Sequence, residues 1–243
     1  MLWRKIKLDW SYAIGELAIV TVGVLIALAV GQWNADRLAR AEEANYILRI
    51  SGDLNKDIEL LTSRLQALEQ KANSLARISE QLDRGSIDDN ERFLQDVVIG
   101  ANYGWNQGRA NRATYDDLLG SGNLGLIADQ EIRLSIADYY KEFEEGDRRI
   151  EERETDYPGA TYRLIPRATT VREAGVVWER DVKTDLSSAQ IDKIIQTIIS
   201  SDLASLAIAE ANFGRFVQGV TISQLELAKS LRISLQAYKE LEN

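Results

Sequence analysis

Residues 11–34, SYAIGELAIVTVGVLIALAVGQWN, decide the architecture of this chain. Between Leu17 and Val30 the only residues that are not apolar are Thr21 and Gly23. The 22 residues from 12 to 33 would form a helix about 33 Å long, enough to cross a hydrocarbon core of about 30 Å. The stretch therefore predicts a transmembrane helix at residues 12–33.

Aromatic residues stand at both ends of this span, Trp10 and Tyr12 before it and Trp33 at its end. We expect them to be membrane-interface anchors, because amphipathic rings favour the headgroup layers. A buried helix of a soluble protein rarely has such flanks. A cleaved signal peptide would fit the basic start and the small residues near the end of the run. We expect an uncleaved signal anchor, with an interfacial segment at residues 1–11 and a water-exposed domain at residues 34–243.

Basic residues give the orientation a small bias. Three precede the span and two follow it closely: Arg4, Lys5, Lys7, Arg37 and Arg40. Together with the short N-terminal tail, this bias predicts a cytoplasmic N-terminus. The expected localisation is a bacterial inner membrane, crossed once, with the C-terminal domain in the periplasm.

Composition removes several classes of function. The chain of 243 residues has a net charge of −9, so we expect no nucleic-acid partner, because phosphates would be repelled. It contains no cysteine and no histidine, which removes thiol chemistry and the commonest general base and metal ligand. With only two prolines, the chain is expected to be mostly helical.

No motif indicates an enzyme. Ser121 lacks the Gly-x-Ser-x-Gly spacing of a nucleophile elbow, and the glycines around it lack the Lys-Ser/Thr of a phosphate loop. Asp116 and Asp117 are adjacent, so on a helix they point in different directions and are expected to be surface residues. Nor do the acids of residues 141–156 form a compact oxygen-ligand loop. We therefore expect no catalytic residues, no metal and no cofactor.

A heptad pattern follows the span. From Leu54 to Leu75 apolar residues recur in alternating steps of four and three, and charged residues fall between them. The apolar set is Ile47, Leu54, Ile58, Leu61, Leu65, Leu68, Ala72, Leu75 and Leu82; the charged set is Lys56, Asp57, Arg64, Glu69 and Lys71. This seam predicts a helix over residues 34–82, bent near Gly52, in an intrachain bundle or an intermolecular coiled coil.

A second long helix is predicted after the Ser200-Ser201-Asp202 cap. Its apolar stripe has similar spacing: Leu206, Phe213, Val217, Val220, Leu227, Leu231 and Tyr238. Two long seams near opposite ends of a domain pack most simply as an antiparallel pair. The predicted fold class is therefore all-α, with one N-terminal transmembrane helix continuing into a long-helix bundle that contains an antiparallel coiled-coil-like pair.

Shorter elements are expected between these two helices. Helices are predicted to begin near Asp89, capped by Ser86 or Asp88, then at Ala113, at Asp129, and after a capping box formed by Ser187 and Gln190. Residues 157–183 contain both prolines and predict a linker with a short strand pair. The glycine- and asparagine-rich loop of residues 100–112 carries Tyr103 and Trp105, which form a candidate binding loop or simply pin the loop to the bundle.

One face of the span suggests a contact within the membrane. Small residues recur every fourth position, and one carboxylate lies near them: Gly15, Glu16, Ile19, Gly23, Ala27 and Gly31. Small residues let helices approach closely in lipid, and a carboxylate near a span is retained more easily if it faces a partner or water. These six residues are the predicted intramembrane contact. Alternatively, Glu16 reaches the headgroups and the glycines are merely tolerated.

Two stretches resemble a known family. They are GELAIVTVGVLIALAVGQWN (Gly15 to Asn34) and ATYDDLLGSGNLGLIADQEIRLSIADYY (Ala113 to Tyr140). They are similar to the anchor and an internal segment of an uncharacterised bacterial family of single-span membrane proteins of unknown function. The resemblance implies topology; it implies no activity and no catalytic residues.

Three functions remain open. The first is a membrane-anchored helical scaffold or accessory subunit that acts through protein-protein contacts. Its expected partners are membrane lipid and, through the span, either further copies of itself or another membrane protein. The second is a homo-oligomeric channel or transport component with Glu16 near the pathway. The third is a ligand sensor that uses the loop of residues 100–112.

Overall fold

The computed structural model describes residues 10–101, 109–153, 155–165 and 187–241. Within these ranges every regular element is helical, which confirms the all-α prediction. The helices are α1 (Trp10–Arg84), α2 (Asn90–Gly100), α3 (Ala113–Gly120), α4 (Gln130–Glu151), α5 (Tyr157–Leu164), α6 (Ser188–Ile199) and α7 (Leu203–Leu241). A short 3-10 helix, Asn123–Leu126, connects α3 to α4.

The predicted span and the heptad region form one helix. α1 is 75 residues long and continues without interruption through Gly52. It ends at Arg84 because Gly85 adopts a positive φ of +70°, a conformation that glycine accepts without strain. At about 1.5 Å per residue, α1 is about 110 Å long, so it links the predicted membrane region directly to the bundle.

α1 and α7 pack antiparallel, as predicted. Contacts between them pair early residues of α1 with late residues of α7. Tyr238 donates to Glu43 at 2.7 Å, and Arg232 donates to Asn55 at 3.3 Å. Lys71, further along α1, pairs with Glu210. The heptad seam of α1 therefore packs within its own chain.

Three apolar clusters run along this pair. The cluster nearest residue 43 contains Tyr46, Ile50 and the inward face of α4, and the farthest contains residues of α2, α5 and α6. A small third cluster lies between them, around Leu68 and Phe213. The seam predictions hold for most positions, but Ala72 and Leu227 are wrong, since both side chains are exposed. Leu225 and Ala228 take the inner positions of α7 beside Leu227.

Other predictions are corrected by the structure. Asp89 itself caps α2, accepting from the Arg92 amide at 3.0 Å, so neither Ser86 nor Asp88 is the cap. Residues 157–164 form α5, so the predicted strand pair is wrong there. Pro158 lies in the first turn of α5, where its missing N–H costs nothing.

The remaining helix starts agree with the sequence. Asp129 caps α4 by accepting from the Ile132 amide at 3.0 Å. The capping box before α6 is present, with the Ser187 amide donating to Gln190 Oε1 at 2.9 Å.

Candidate functional site

From residue 15 to residue 41, α1 has no buried side chain. We call residues 15–41 the free segment; its side chains are exposed apart from half-exposed Ala39. Among the described helices, only α1 is by itself long and apolar enough to cross a membrane, and its apolar window is entirely unburied. α6 and α7 pass the same test only when joined, but they meet at 77°.

The six residues predicted to make an intramembrane contact lie in the free segment. Gly15, Glu16, Ile19, Gly23, Ala27 and Gly31 are all exposed. A Cβ added at any of the three glycines would meet no atom within 4 Å. The structure therefore leaves this face open to lipid or to another helix, and the contact itself stays a prediction.

The predicted anchors are only partly described. Trp33 is 60% exposed, and the Arg37 guanidinium lies 5.8 Å from its ring centroid. Trp10 and Tyr12 belong to the first turn of α1, but their side chains lie outside the described residues. Tyr103 and Trp105 also lie outside the described residues, so the candidate binding loop keeps its status as a prediction.

C-terminal to the free segment, α1 carries a line of buried polar side chains. We call Glu43, Asp57, Arg64 and Lys71 the polar column; all four are at most 4% exposed. Asp57, Arg64 and Lys71 lie off the leucine seam, as predicted, but they are not surface residues. They occupy a second heptad position beside the seam, in line with the fully buried Ile50 and Ile78. Their spacing of seven residues, shared with these isoleucines, was the signal that could have revealed them.

Each member of the polar column meets partners on other elements. Glu43 accepts from the Ala128 amide at 2.7 Å as well as from Tyr238. Arg64 lies 3.5 Å from both Asp147 of α4 and Gln224 of α7. Because burying an unpaired charge costs several kcal/mol, these partners are needed for the column to lie inside the bundle.

Asp57 accepts three hydrogen bonds from two residues of other elements. It accepts from the Tyr139 hydroxyl at 2.7 Å and from the amide and side chain of Asn111 at 2.8 and 2.6 Å. Burial, helped by the Asp57 charge, raises the pKa of Tyr139 well above its usual value. The hydroxyl therefore stays protonated and donates to the carboxylate. Asn111 closes the loop of residues 100–112, so Asp57 fixes the downstream end of that loop against α1.

A cleft of about 470 Å³ lies beside this anchored end, between residues 109–112 and one face of α4. Its wall is charged in both signs. Arg112 bonds Glu144 at 2.7 Å and Asp116 at 3.2 Å, and Arg109 lies 3.6 Å from Glu151. Tyr140 and Phe143 also line the cleft. Eight of the eleven residues that line the cleft are charged, so the cleft offers both cationic and anionic groups to a small polar ligand.

The serine and the adjacent acids considered in the sequence have partners within the part of the chain that the structure describes. No group of three or more acidic side chains there is placed to hold a metal ion. The Ser121 hydroxyl donates to the Asp117 carbonyl at 2.6 Å. Asp116 pairs with Arg112, whereas Asp117 pairs with Arg49 at 2.9 Å, so the two adjacent acids point apart, as expected.

Comparison with known proteins gives a family and no activity. No curated protein and no solved structure matches the chain. A family model, described as a family of unknown function, matches residues 16–151. The match begins in the free segment, includes nearly all of both stretches that carried the resemblance, and ends with α4. Since it covers more than half of the sequence, the chain belongs to this family of unknown function, DUF6090.

Proposed function

We propose that the protein is a membrane-anchored helical scaffold or accessory subunit that acts through protein-protein contacts. The observation that carries the proposal is the contrast within α1. Its free segment is apolar along residues 17–30, and every side chain there is exposed, while the same helix from Glu43 onward buries one face in the bundle. A bundle held at the end of a rigid anchor, without an evident catalytic site among the described residues, suits a protein that positions other proteins.

The cost of leaving this segment in water supports a membrane location. Nine large apolar side chains between residues 17 and 30 are 53–75% exposed: Leu17, Ile19, Val20, Val22, Val24, Leu25, Ile26, Leu28 and Val30. At about 1.5–3 kcal/mol for full burial of each, covering the exposed fraction is worth about 8–16 kcal/mol. That is comparable with the whole stability of a domain, about 5–15 kcal/mol. Lipid is the simplest cover for a 22-residue span.

The proposed location is a bacterial inner membrane, with the N-terminus in the cytoplasm and the bundle in the periplasm. The small excess of basic residues before the span supports this orientation. The absence of cysteine makes it easy to test. A single cysteine at the exposed position Glu80 should react with a membrane-impermeant maleimide in spheroplasts, whereas a cysteine at Lys5 should react only after lysis. The reverse pattern would contradict the orientation.

Anchoring and scaffolding need separate tests. Alkaline carbonate should leave the wild-type chain in the membrane pellet, and a variant with Val24→Lys and Ile26→Lys should move to the supernatant. Capture from native membranes followed by mass measurement should then return stoichiometric protein partners or further copies of the chain. A monomer that brings down nothing would refute the scaffold.

A ligand sensor is the second candidate, and the charged cleft beside Arg112 favours it. A library of small zwitterions and dicarboxylates, screened by thermal shift, would test it. Binding should raise the Tm of the wild-type protein and should be lost in Arg112→Ala. The same shift in both proteins would place the ligand elsewhere.

A further inference from the structure

A second heptad pattern lies on the opposite face of α1. It starts at Leu17 and advances in alternating steps of three and four residues to Gly52. Every position on it is exposed, and every one except Asn34 and Asn45 is apolar or glycine. We call this line the outer seam. In its last part, beside the bundle, Leu38 and Leu48 are 57% and 58% exposed.

The outer seam points away from the bundle. At 100° per residue, its centre lies about 180° from the line of Glu43 and Ile50, which are buried against the rest of the chain. The seam ends at Gly52 for a visible reason: the next position, Asn55, accepts a hydrogen bond from Arg232 of α7. It therefore extends about 53 Å, from within the span to the base of the bundle, with every side chain on it exposed.

Charged residues beside the outer seam match those of a second copy. In a parallel two-stranded coiled coil, the residue just before a first heptad position, here the residue before Leu38, faces the residue five places later on the partner helix. Arg37 and Glu42 occupy these two positions, so each copy would offer both halves of two symmetric ion pairs. Both side chains are exposed, although Glu42 also accepts a long bond from Asn123 at 3.5 Å.

The two polar residues on the outer seam fit the same arrangement. In a parallel pair, Asn34 and Asn45 would each face the same residue of the other copy. With Leu38 at the first heptad position, called a, Asn45 also lies at an a position. A buried asparagine at such a position is a known device for fixing the register and the number of helices, at some cost in stability.

Membrane insertion also favours a second copy in parallel. All copies of one chain cross the membrane in the same direction, so equal seam positions lie at equal depth. Within the lipid, Ala27 and Gly31 lie on the outer seam as well as on the predicted small-residue face, and they would let two helices approach closely. Beyond the lipid, Leu38 and Leu48 supply the apolar area that drives association in water.

We propose that a second copy of this chain docks along the outer seam, forming a parallel pair of α1 helices from the membrane into the base of the bundle. This rests on the proposed function and names its partner. The contact differs from the predicted small-residue face, because it continues onto the bundle and leaves Gly15 and Ile19 to one side.

Single cysteines in the cysteine-free full chain test the pairing in native membranes. Ala41→Cys and Leu48→Cys place the thiol on the outer seam, one heptad apart, and Ala39→Cys is the matched control, pointing about 130° away from the seam. Mild oxidation should give a dimer-sized, reducible band for both seam variants, several-fold stronger than for the control. Equal yields at all three positions, or no dimer, would overturn the inference.

Charge reversal tests the register. In the Ala41→Cys background, Arg37→Glu should lower the dimer yield because like charges then face each other, and Glu42→Arg should do the same. The two changes together should restore the yield, and failure to restore it would overturn the parallel register. An adduct with a different protein would refute the second copy while the scaffold stands. Recovery of the chain in the soluble fraction before oxidation would instead refute the anchor.

Discussion

The buried pair formed by Lys71 and Glu210 gives the sharpest test of the fold. Lys71 is 2% exposed and Glu210 is 1% exposed, and their side chains form an ion pair between α1 and α7. Glu210 also accepts from the Thr155 hydroxyl. Removing one partner would leave the other charge buried, which costs about 3–5 kcal/mol. Lys71→Met and Glu210→Leu are therefore each expected to destabilise the bundle by that amount.

The double variant should behave differently from the sum of the single ones. With both side chains apolar, no charge is left buried, and such replacements are often neutral or stabilising. Burial lowers the pKa of Lys71, and Glu210 only partly opposes this. Between the lowered pKa of Lys71 in the folded chain and its ordinary value of 10.5, the unfolded chain therefore binds more protons than the folded chain. The free energy of unfolding rises with pH in that window. The surroundings of Lys71 therefore disfavour its charged form, and the double variant removes that group.

Thermal unfolding of the full chain in detergent micelles, followed by far-UV circular dichroism, measures these differences. At about 2–4 °C per kcal/mol for a bundle of this size, each single variant should lose about 6–20 °C in Tm. The double variant should recover most of that loss. Asp88→Ala is the control, because it breaks an exposed pair with Arg84 at 2.6 Å and should shift stability by less than about 1 kcal/mol. Single variants that match this control, or a double variant worse than both, would refute the reasoning.

Three further predictions use the same unfolding measurement. Asp57→Ala should cost about 3 kcal/mol or more, because the buried Tyr139 hydroxyl and two half-buried Asn111 donors lose a charged acceptor; a smaller loss would mean that the site is hydrated. Gly100→Ala should destabilise by about 1–3 kcal/mol, since its Cβ would lie 2.8 Å from Leu75, while Gly214→Ala, with open space, should gain up to about 1 kcal/mol. Burial raises the pKa of Asp147, so its contribution to stability falls as pH rises above about 4, and Asp147→Asn should flatten that dependence.

The helical architecture could be predicted because it is periodic. The leucine seam fixes which side of α1 faces inward, and a matching stripe on α7 makes the antiparallel pair the simplest arrangement. Helix starts were predictable where a cap residue and its hydrogen-bond partner lie three residues apart, as at Asp129 and Ser187. Such signals are local, because the two residues that form the cap lie close together in the sequence.

The polar column escaped prediction because its partners are remote in sequence. Arg64 and its partner Gln224 are 160 residues apart, and Asp57 and its partner Asn111 are 54 residues apart. No local sequence pattern therefore predicts either contact. Charged residues that fall off an apolar seam are usually on the surface, and these are an exception to that rule. α5 was missed for another reason: the two prolines of residues 157–183 suggested a linker, but Pro158 lies in the first turn of a helix, and Tyr157 is fully buried between helices.

The polar column fixes the register of the α1–α7 pair, which a leucine seam alone does not. A seam that repeats every seven residues tolerates a slide of one heptad, because leucine then meets leucine again. After such a slide Lys71 would no longer lie opposite Glu210, and Arg64 would leave Gln224. Each buried charge left without its partner would cost several kcal/mol. The apolar repeats therefore set the direction of packing, and the column sets the register. Because α1 is continuous, that register also fixes how far the free segment extends beyond the bundle.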